Sequence, residues 1–320
     1  MIMLSSQAQV LRKRTTMLMG GRFDITLVAK DARTAEMHID TVIAEIARIE
    51  HLISDWIPSS QVSTVNAQAG IAPVKVDWEL LLLAERALEL SRLSHGAFDI
   101  SFAAMDRIWK FDGSMTSMPT PEAIRRSVEK VGYRHILISR EDSTLYLERK
   151  GMKIGFGALG EGYAADRCRS MMQERGIQAG IVNGTGDMSA WGKQPDGSDW
   201  MIGINDPADS GRLLAVVPLR QGAVVTSGSY EKFVTFNGKR YAHIINPVTG
   251  YPATGLTSVT VFGPSAEQAN GLSTTMMVLG KKEGLEFLSN FPEYSCLMVA
   301  DDGSMTHSPN LDLAAFQMKP

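Results

Sequence analysis

The strongest constraint on this chain of 320 residues is a change of hydrophobic period near residue 135. Before it, the long patterns are helical. Residues 35–53 carry Ile39, Val42, Ile43, Ile46, Ile49, Leu52 and Ile53 at the spacing of one buried helix face. A second helix is predicted over 77–93, with Asp77 as N-cap and Gly96 just past its end. A third is predicted over 119–130, with Thr120 as cap and Pro121 at the first helical position. In this half only residues 23–28 alternate clearly as a strand. From 135 onward, short strands are predicted at 135–138, 145–148, 152–156, 180–182, 200–204, 213–219, 223–226, 233–236, 240–244 and 256–262. Asn237-Gly238 joins two of them and is the strongest short hairpin signal. Helices interrupt over 159–175, stopped by Gly176, and over 265–279, with Gly280 beyond. Helices early and hairpins late argue against repeated βαβ units. They predict an α+β fold of mixed or antiparallel sheets with packed helices, in a single domain over 17–320. Residues 1–16 are polar and aperiodic and predict a flexible tail.

That pattern decides how the run GFGALG at 155–160 is read. It matches GxGxxG, follows a predicted strand and opens a helix, with Glu174 further on. A Rossmann domain would continue with strands and helices in alternation, whereas hairpins come next here, so a Rossmann fold is not expected. The physics of the turn remains. Glycine lets backbone approach a ligand closely, and the free N–H groups at a helix start attract phosphate. A turn needed only for close packing is the other reading.

Four more segments mix glycine with polar groups: GAFD at 96–99, NGTGD at 183–187, TSGSYE at 226–231 and HIINPVTG at 243–250. The last three lie at predicted strand ends, where sites are commonly built. His243 is available there as a base near neutral pH, although a histidine at a strand end is also a common structural group. Asn270, Ser273 and Thr274 share one helix face. Their oxygens suit a hard cation such as magnesium, or make an ordinary polar face.

A net charge of −3 with 44% hydrophobic residues excludes a disordered chain and argues against nucleic acid as a partner. No apolar run approaches the ~20 residues of a membrane helix, so no membrane span is expected. Cys168 and Cys296 are far apart and outside any CxxC pair, which predicts two core thiols rather than a zinc site. Arg12, Lys13 and Arg14 have no apolar stretch beside them. As written, the chain reads as cytoplasmic, and as periplasmic or a lipoprotein only if a leader has been removed.

Taken in order, these segments resemble the ApbE family, the FAD:protein FMN transferases. The matching residues are Met19-Gly20, SDWIPSS at 54–60 with Asn66, GAFD at 96–99 and GALGEGY at 157–163. NGTGD, TSGSYE, HIINPVTG and Ala269 to Thr274 continue the series. The similarity covers roughly residues 17–310. It implies a compact ApbE-like fold and a reaction in which FAD is the substrate. FMN passes to a Thr or Ser hydroxyl of a target flavoprotein and AMP leaves, with Mg2+ assisting; some members chiefly hydrolyse FAD.

The resemblance implies His243 as the base. It implies Met19, Trp56, Ala97, Phe98, Asp99, Gly155, Glu161 and Ile245 around FAD. Trp56 stands where Tyr is frequent, Gly155 where Asp is frequent, and Glu161 within a Lys-or-Glu choice. It implies magnesium held by the backbone carbonyl of Ala158 and by the side chains of Asn270, Ser273 and Thr274.

Two departures bear on the metal. The His loop normally reads His-x-x-Asp-Pro and here has Asn246; the metal helix normally opens Ala-Asp and here has Ala269-Asn270. Ser273 is neutral where some members carry Asp. Asn offers a carbonyl oxygen without negative charge, so a weakened magnesium site is expected unless the FAD pyrophosphate supplies the charge. The alternative reading is a FAD-binding homologue with weak or no transferase activity because of Asn270.

Overall fold

Phe23, Ile25 and Leu27 alternate along one strand, and each is fully buried; they set the inner face of the central sheet. The structure, a computed structural model, describes residues 9–230 and 232–319. The chain opens with β1 (Val10–Leu18), β2 (Gly21–Ala29), α1 (Ala32–Ile53), α2 (Gln61–Ala67), β3 (Val74–Lys75) and α3 (Trp78–Leu93). It continues through α4 (Pro121–Ser127), β4 (Ile136–Ser139), β5 (Thr144–Leu147), α5 (Gly160–Glu174), β6 (Ala179–Gly184) and β7 (Asp187–Trp191). Next come β8 (Trp200–Asp206), β9 (Asp209–Leu219), β10 (Gly222–Gly228), β11 (Phe233–Phe236) and β12 (Lys239–Ala242). The last elements are β13 (Leu256–Gly263), α6 (Ala266–Leu288), β14 (Ser295–Ala300), β15 (Met305–His307) and β16 (Gln317–Met318).

Eight strands form one sheet in the order β1-β2-β6-β7-β10-β13-β14-β15, antiparallel throughout. Helices α1, α5 and α6 lie across one face, where their apolar stripes and the inward residues of the strands make the main core. The other face carries a three-stranded sheet, β16-β9-β8. Trp200, Ile202, Ile204, Ala215 and Val217 from it meet Val28, Ala179, Ala190 and Val224 in a second apolar layer. A third, small cluster of Trp109, Ile124, Val234 and Ile245 lies under the β11–β12 ribbon. Antiparallel pairing throughout is the α+β arrangement, and it leaves no place for the parallel sheet of a Rossmann fold.

The structure differs from the sequence reading at several points. Residues 10–16 are not tail but part of β1, paired in register from Val10↔Ala29 to Leu18↔Gly21. Their polar side chains face outward on an edge strand, which hides the strand from a hydrophobicity pattern. Residues 1–8 and Glu231 lie outside the described residues. No strand forms over 152–156, where Met152, Ile154 and Phe156 are buried in the main core on an irregular segment. Gly280 does interrupt the last long helix, at φ 79° and ψ −177°, but helical turns resume and run to Leu288. Helix α2 and strands β3, β7, β14, β15 and β16 are additions that the hydrophobic pattern does not predict. The expected cap holds at Thr120, which accepts from the Ala123 amide, whereas Asp77 makes no side-chain cap and instead accepts from Gln61.

Candidate active site

The N-termini of α5 and α6 meet beside the main sheet. Gly162 in the first turn of α5 makes the meeting possible. A Cβ there would lie 2.5 Å from the Ala266 carbonyl oxygen, so only glycine lets α6 start this close to α5. The approach brings Asn270 and Thr274 of α6 to one cavity of about 800 Å3 with Ala158 and Glu161 at the start of α5. Asp187, at the start of β7, and Ser227, near the end of β10, complete a polar floor. His243 lines the same cavity from the segment just after β12, where its backbone N–H donates to the Lys232 carbonyl.

The floor is a connected network. Asn270 donates through Nδ2 to the Asp187 carboxylate, and Thr274 Oγ1 approaches Asn270 Oδ1 at 3.5 Å. Ser227 Oγ lies 2.7 Å from Ser273 Oγ and 3.4 Å from Thr274 Oγ1. Ser273 itself is fully buried and donates to the Asn270 carbonyl, so it stands behind the floor rather than on it. Burial pushes the Asp187 carboxyl well above the usual range, and the Glu161 carboxylate pushes it the same way. The Asn270 amide and the Gly162 N–H act against them. Glu161 is raised by its own burial, against a hydrogen bond from Thr185. Two acids that resist ionisation side by side mark a place that favours added positive charge.

The remaining expected residues divide between two cavities. Trp56, Ala97, Phe98, Asp99, Gly155 and Ile245 line the large one. Trp56 is 70% exposed at its rim, with the Arg107 guanidinium 4.4 Å above its ring. Met19, in contrast, lines a smaller cavity of about 360 Å3. Asp55, Trp56, Gly157 and Glu161 line both, and so form a shared wall. The Asp99 carboxylate is occupied by protein groups: Oδ1 accepts from the Ser101 amide and hydroxyl, and Oδ2 from the Tyr133 amide at 2.7 Å. A Cβ at Gly155 would stand 3.6 Å from an Asp55 carboxylate oxygen. Sequence reasoning gives no individual role to Asp55, Arg107, Asp187 or Ser227, although Asp55, Asp187 and Ser227 lie within the segments at 54–60, 183–187 and 226–231 that it singles out.

The ApbE family profile matches residues 19–298. The chain belongs to the ApbE family. A FAD:protein FMN transferase of Treponema pallidum is 33% identical over 285 residues, which cover 84% of this chain and 79% of the relative. An ApbE protein of Thermotoga maritima superimposes with a TM-score of 0.85 at 28% identity, covering 94% of this chain and 97% of that one. The flavinyl transferase ApbE of Pseudomonas stutzeri gives 0.82 at 28% identity, with 94% and 95% covered.

Within this ApbE chain the two asparagines differ in kind. Asn246 does not line the cavity; its Oδ1 accepts from the Val248 amide at 2.9 Å and the Thr249 amide at 3.2 Å. It folds the His loop as an Asx turn, a task that needs a carbonyl oxygen and no charge. Asn270 faces the floor, and there a carboxylate stands beside it after all, on Asp187. The oxygens of Ala158, Asn270, Thr274 and Asp187 are hard donors of the type magnesium takes, few enough to leave room for water and phosphate oxygens. Among the described residues no cluster of three or more His, Cys, Asp or Glu side chains is arranged to hold a metal.

Proposed function

We propose that this chain is a magnesium-assisted FAD:protein FMN transferase that acts on a Thr or Ser hydroxyl of a target flavoprotein. One observation carries the reading. His243, the start of α5 and the Asp187–Asn270–Thr274 floor all face the same cavity. A base and a pyrophosphate cradle therefore share one space. FAD is the substrate, and the wall common to the two cavities lets one dinucleotide extend over both.

His243 takes the proton of the acceptor hydroxyl as its oxygen attacks the FMN-side phosphorus. The bond from that phosphorus to the bridging oxygen breaks, AMP leaves with the oxygen, and FMN remains as a phosphoester on the acceptor. The positive end of α5 draws phosphate oxygens through its dipole, its Leu159 and Gly160 amides being bonded to the Phe156 carbonyl, and Trp56 offers its face to an aromatic part of FAD. Ala158, Asn270, Thr274 and Asp187 would hold magnesium, which when bound neutralises charge developing on the phosphates. The Asp187 carboxyl beside Asn270 favours this reading over a FAD-binding homologue without turnover, because a cation held there would let it ionise and so supply the charge that Asn270 lacks.

The test is release of AMP from FAD and Mg2+. His243→Ala is expected to slow release by at least about 100-fold while FAD binding persists. Wild-type protein that turns yellow with FAD yet releases no AMP would overturn the proposal.

A further inference from the structure

Strand β8 is the outer strand of the β16-β9-β8 sheet, and among the described strands it pairs with β9 alone. Four consecutive residues of it, Ile202, Gly203, Ile204 and Asn205, line the active-site cavity. Side chains alternate across a strand, and here Ile202 and Ile204 are buried in the apolar layer while Gly203 and Asn205 are exposed. Consecutive residues can border one space only along the strand's edge. Gly203 makes the point most directly, since without a side chain it borders the cavity through backbone.

The register identifies the groups on that edge. Met201 is opposite Pro218 and Gly203 is opposite Val216. Pro218 has no N–H to give β8. The Leu214 carbonyl, four residues before it, accepts from the Lys319 amide at 3.0 Å on the β16 side. Residues 214, 216 and 218 therefore point away from β8. By the alternation of antiparallel ladders, Met201 and Gly203 direct their own N–H and C=O groups to the free edge. Natural edges are guarded with charge or proline, yet residues 200–205, WMIGIN, carry neither.

We infer that the β8 edge is the docking strand for the acceptor: an extended segment of the target protein adds to it and delivers its Thr or Ser hydroxyl into the cavity. This rests on the transferase reading. The occupant is set by chemistry. The cavity must admit a polypeptide hydroxyl beside FAD, and a ladder of backbone donors and acceptors matches an extended peptide. None of the positions expected to contact FAD lies on β8.

The probe is a library of end-blocked eleven-residue peptides with a central Thr or Ser, given to wild-type protein with FAD and Mg2+ and read by the mass gain of FMN. Peptides from the modified set are then remade with single backbone N-methyl groups. Methylation at alternate residues on one side of the acceptor is expected to cut transfer at least tenfold, and methylation at the residues between them to leave it within twofold. Amides 201 and 203 should exchange more slowly with peptide present than with FAD alone. Gly203→Pro, which removes one edge N–H, should lower transfer at least tenfold. If Gly203→Pro does not fold, the methylated peptides and the wild-type exchange decide. The docking proposal is overturned if AMP is released but no peptide gains FMN, if methylation position has no effect, or if FAD alone protects these amides. Absence of AMP release overturns the transferase reading and this one with it.

Discussion

At the scale of residues, the pair that most needs explaining is Asn270 and Asp187. The Asn270 amide is a donor aimed at a buried carboxylate. Asn270→Asp removes that donor and sets two buried acids against each other. In divalent-free buffer the variant is expected to be less stable by about 2 kcal/mol, the range of a lost hydrogen bond to a buried acidic group. Mg2+ should then raise its Tm by more than it raises that of wild type. Equal responses would contradict the role given to Asp187. This pairing is not legible in the sequence. The partners are 83 positions apart, and neither helix nor strand period connects them. His243, Trp56 and the Asn270–Thr274 face are legible as segments, because each is a local pattern at an element's end.

The two cysteines belong to the same scale. Both are free and buried, as their spacing predicts. Burial pushes the Cys296 thiol up from 9.0 to about 11, against hydrogen bonds from Ser308. A thiol whose folded value is raised contributes its stability fully below the unfolded value. That contribution is lost as pH rises through the folded one. Stability should therefore decline between about pH 9 and pH 11, and Cys296→Ser should flatten that limb of the curve. Thiol titration of native protein at pH 7 is expected to stay near zero until denaturant is added.

At the scale of elements, Gly280 separates what a local pattern can announce from what it cannot. Its place after residue 279 predicts a helix stop, and φ 79° with ψ −177° is a conformation open essentially to glycine alone. The path of the chain beyond Gly280 is settled by packing. Gly284 lies against Met276, and Phe287 and Leu288 reach the main core, so helical turns resume. Nothing lies within 4 Å of a Cβ at 280, so Gly280→Ala would meet no clash and lose only through backbone strain. A loss of about 1–3 kcal/mol is expected, read as a lower urea midpoint at unchanged slope. The same division explains the other elements. Helix α1 and the Asn-Gly ribbon are legible from period and turn chemistry. Edge strand β1, with outward polar residues, and β7, rising directly from a glycine turn, take their identity from partners that only the folded sheet provides.

At the scale of the molecule, the site is assembled from parts of unequal stability. The floor sits on α5, α6 and the central sheet, inside the main core. The His243 loop hangs from a two-stranded ribbon that joins no other sheet among the described residues and rests on its own small cluster. Trp109 ties that lobe together, stacking on Tyr241 and donating through Nε1 to the Gly250 carbonyl at 2.9 Å. A two-stranded ribbon over a small core opens at lower cost than the sheet beneath it. Amides of β11 and β12 should therefore exchange by local opening, while those of β2 and β6 await global unfolding. If FAD bridges both parts, through Ile245 on the lobe and the start of α5 on the body, opening the lobe must release it. Free FAD at 100 times its Kd would then make that opening about 2.7 kcal/mol harder, slowing ribbon exchange by about 100-fold. Exchange in β11–β12 that ignores FAD would mean that the lobe carrying His243 closes on something other than the dinucleotide, and the base would have to be sought on the body of the protein.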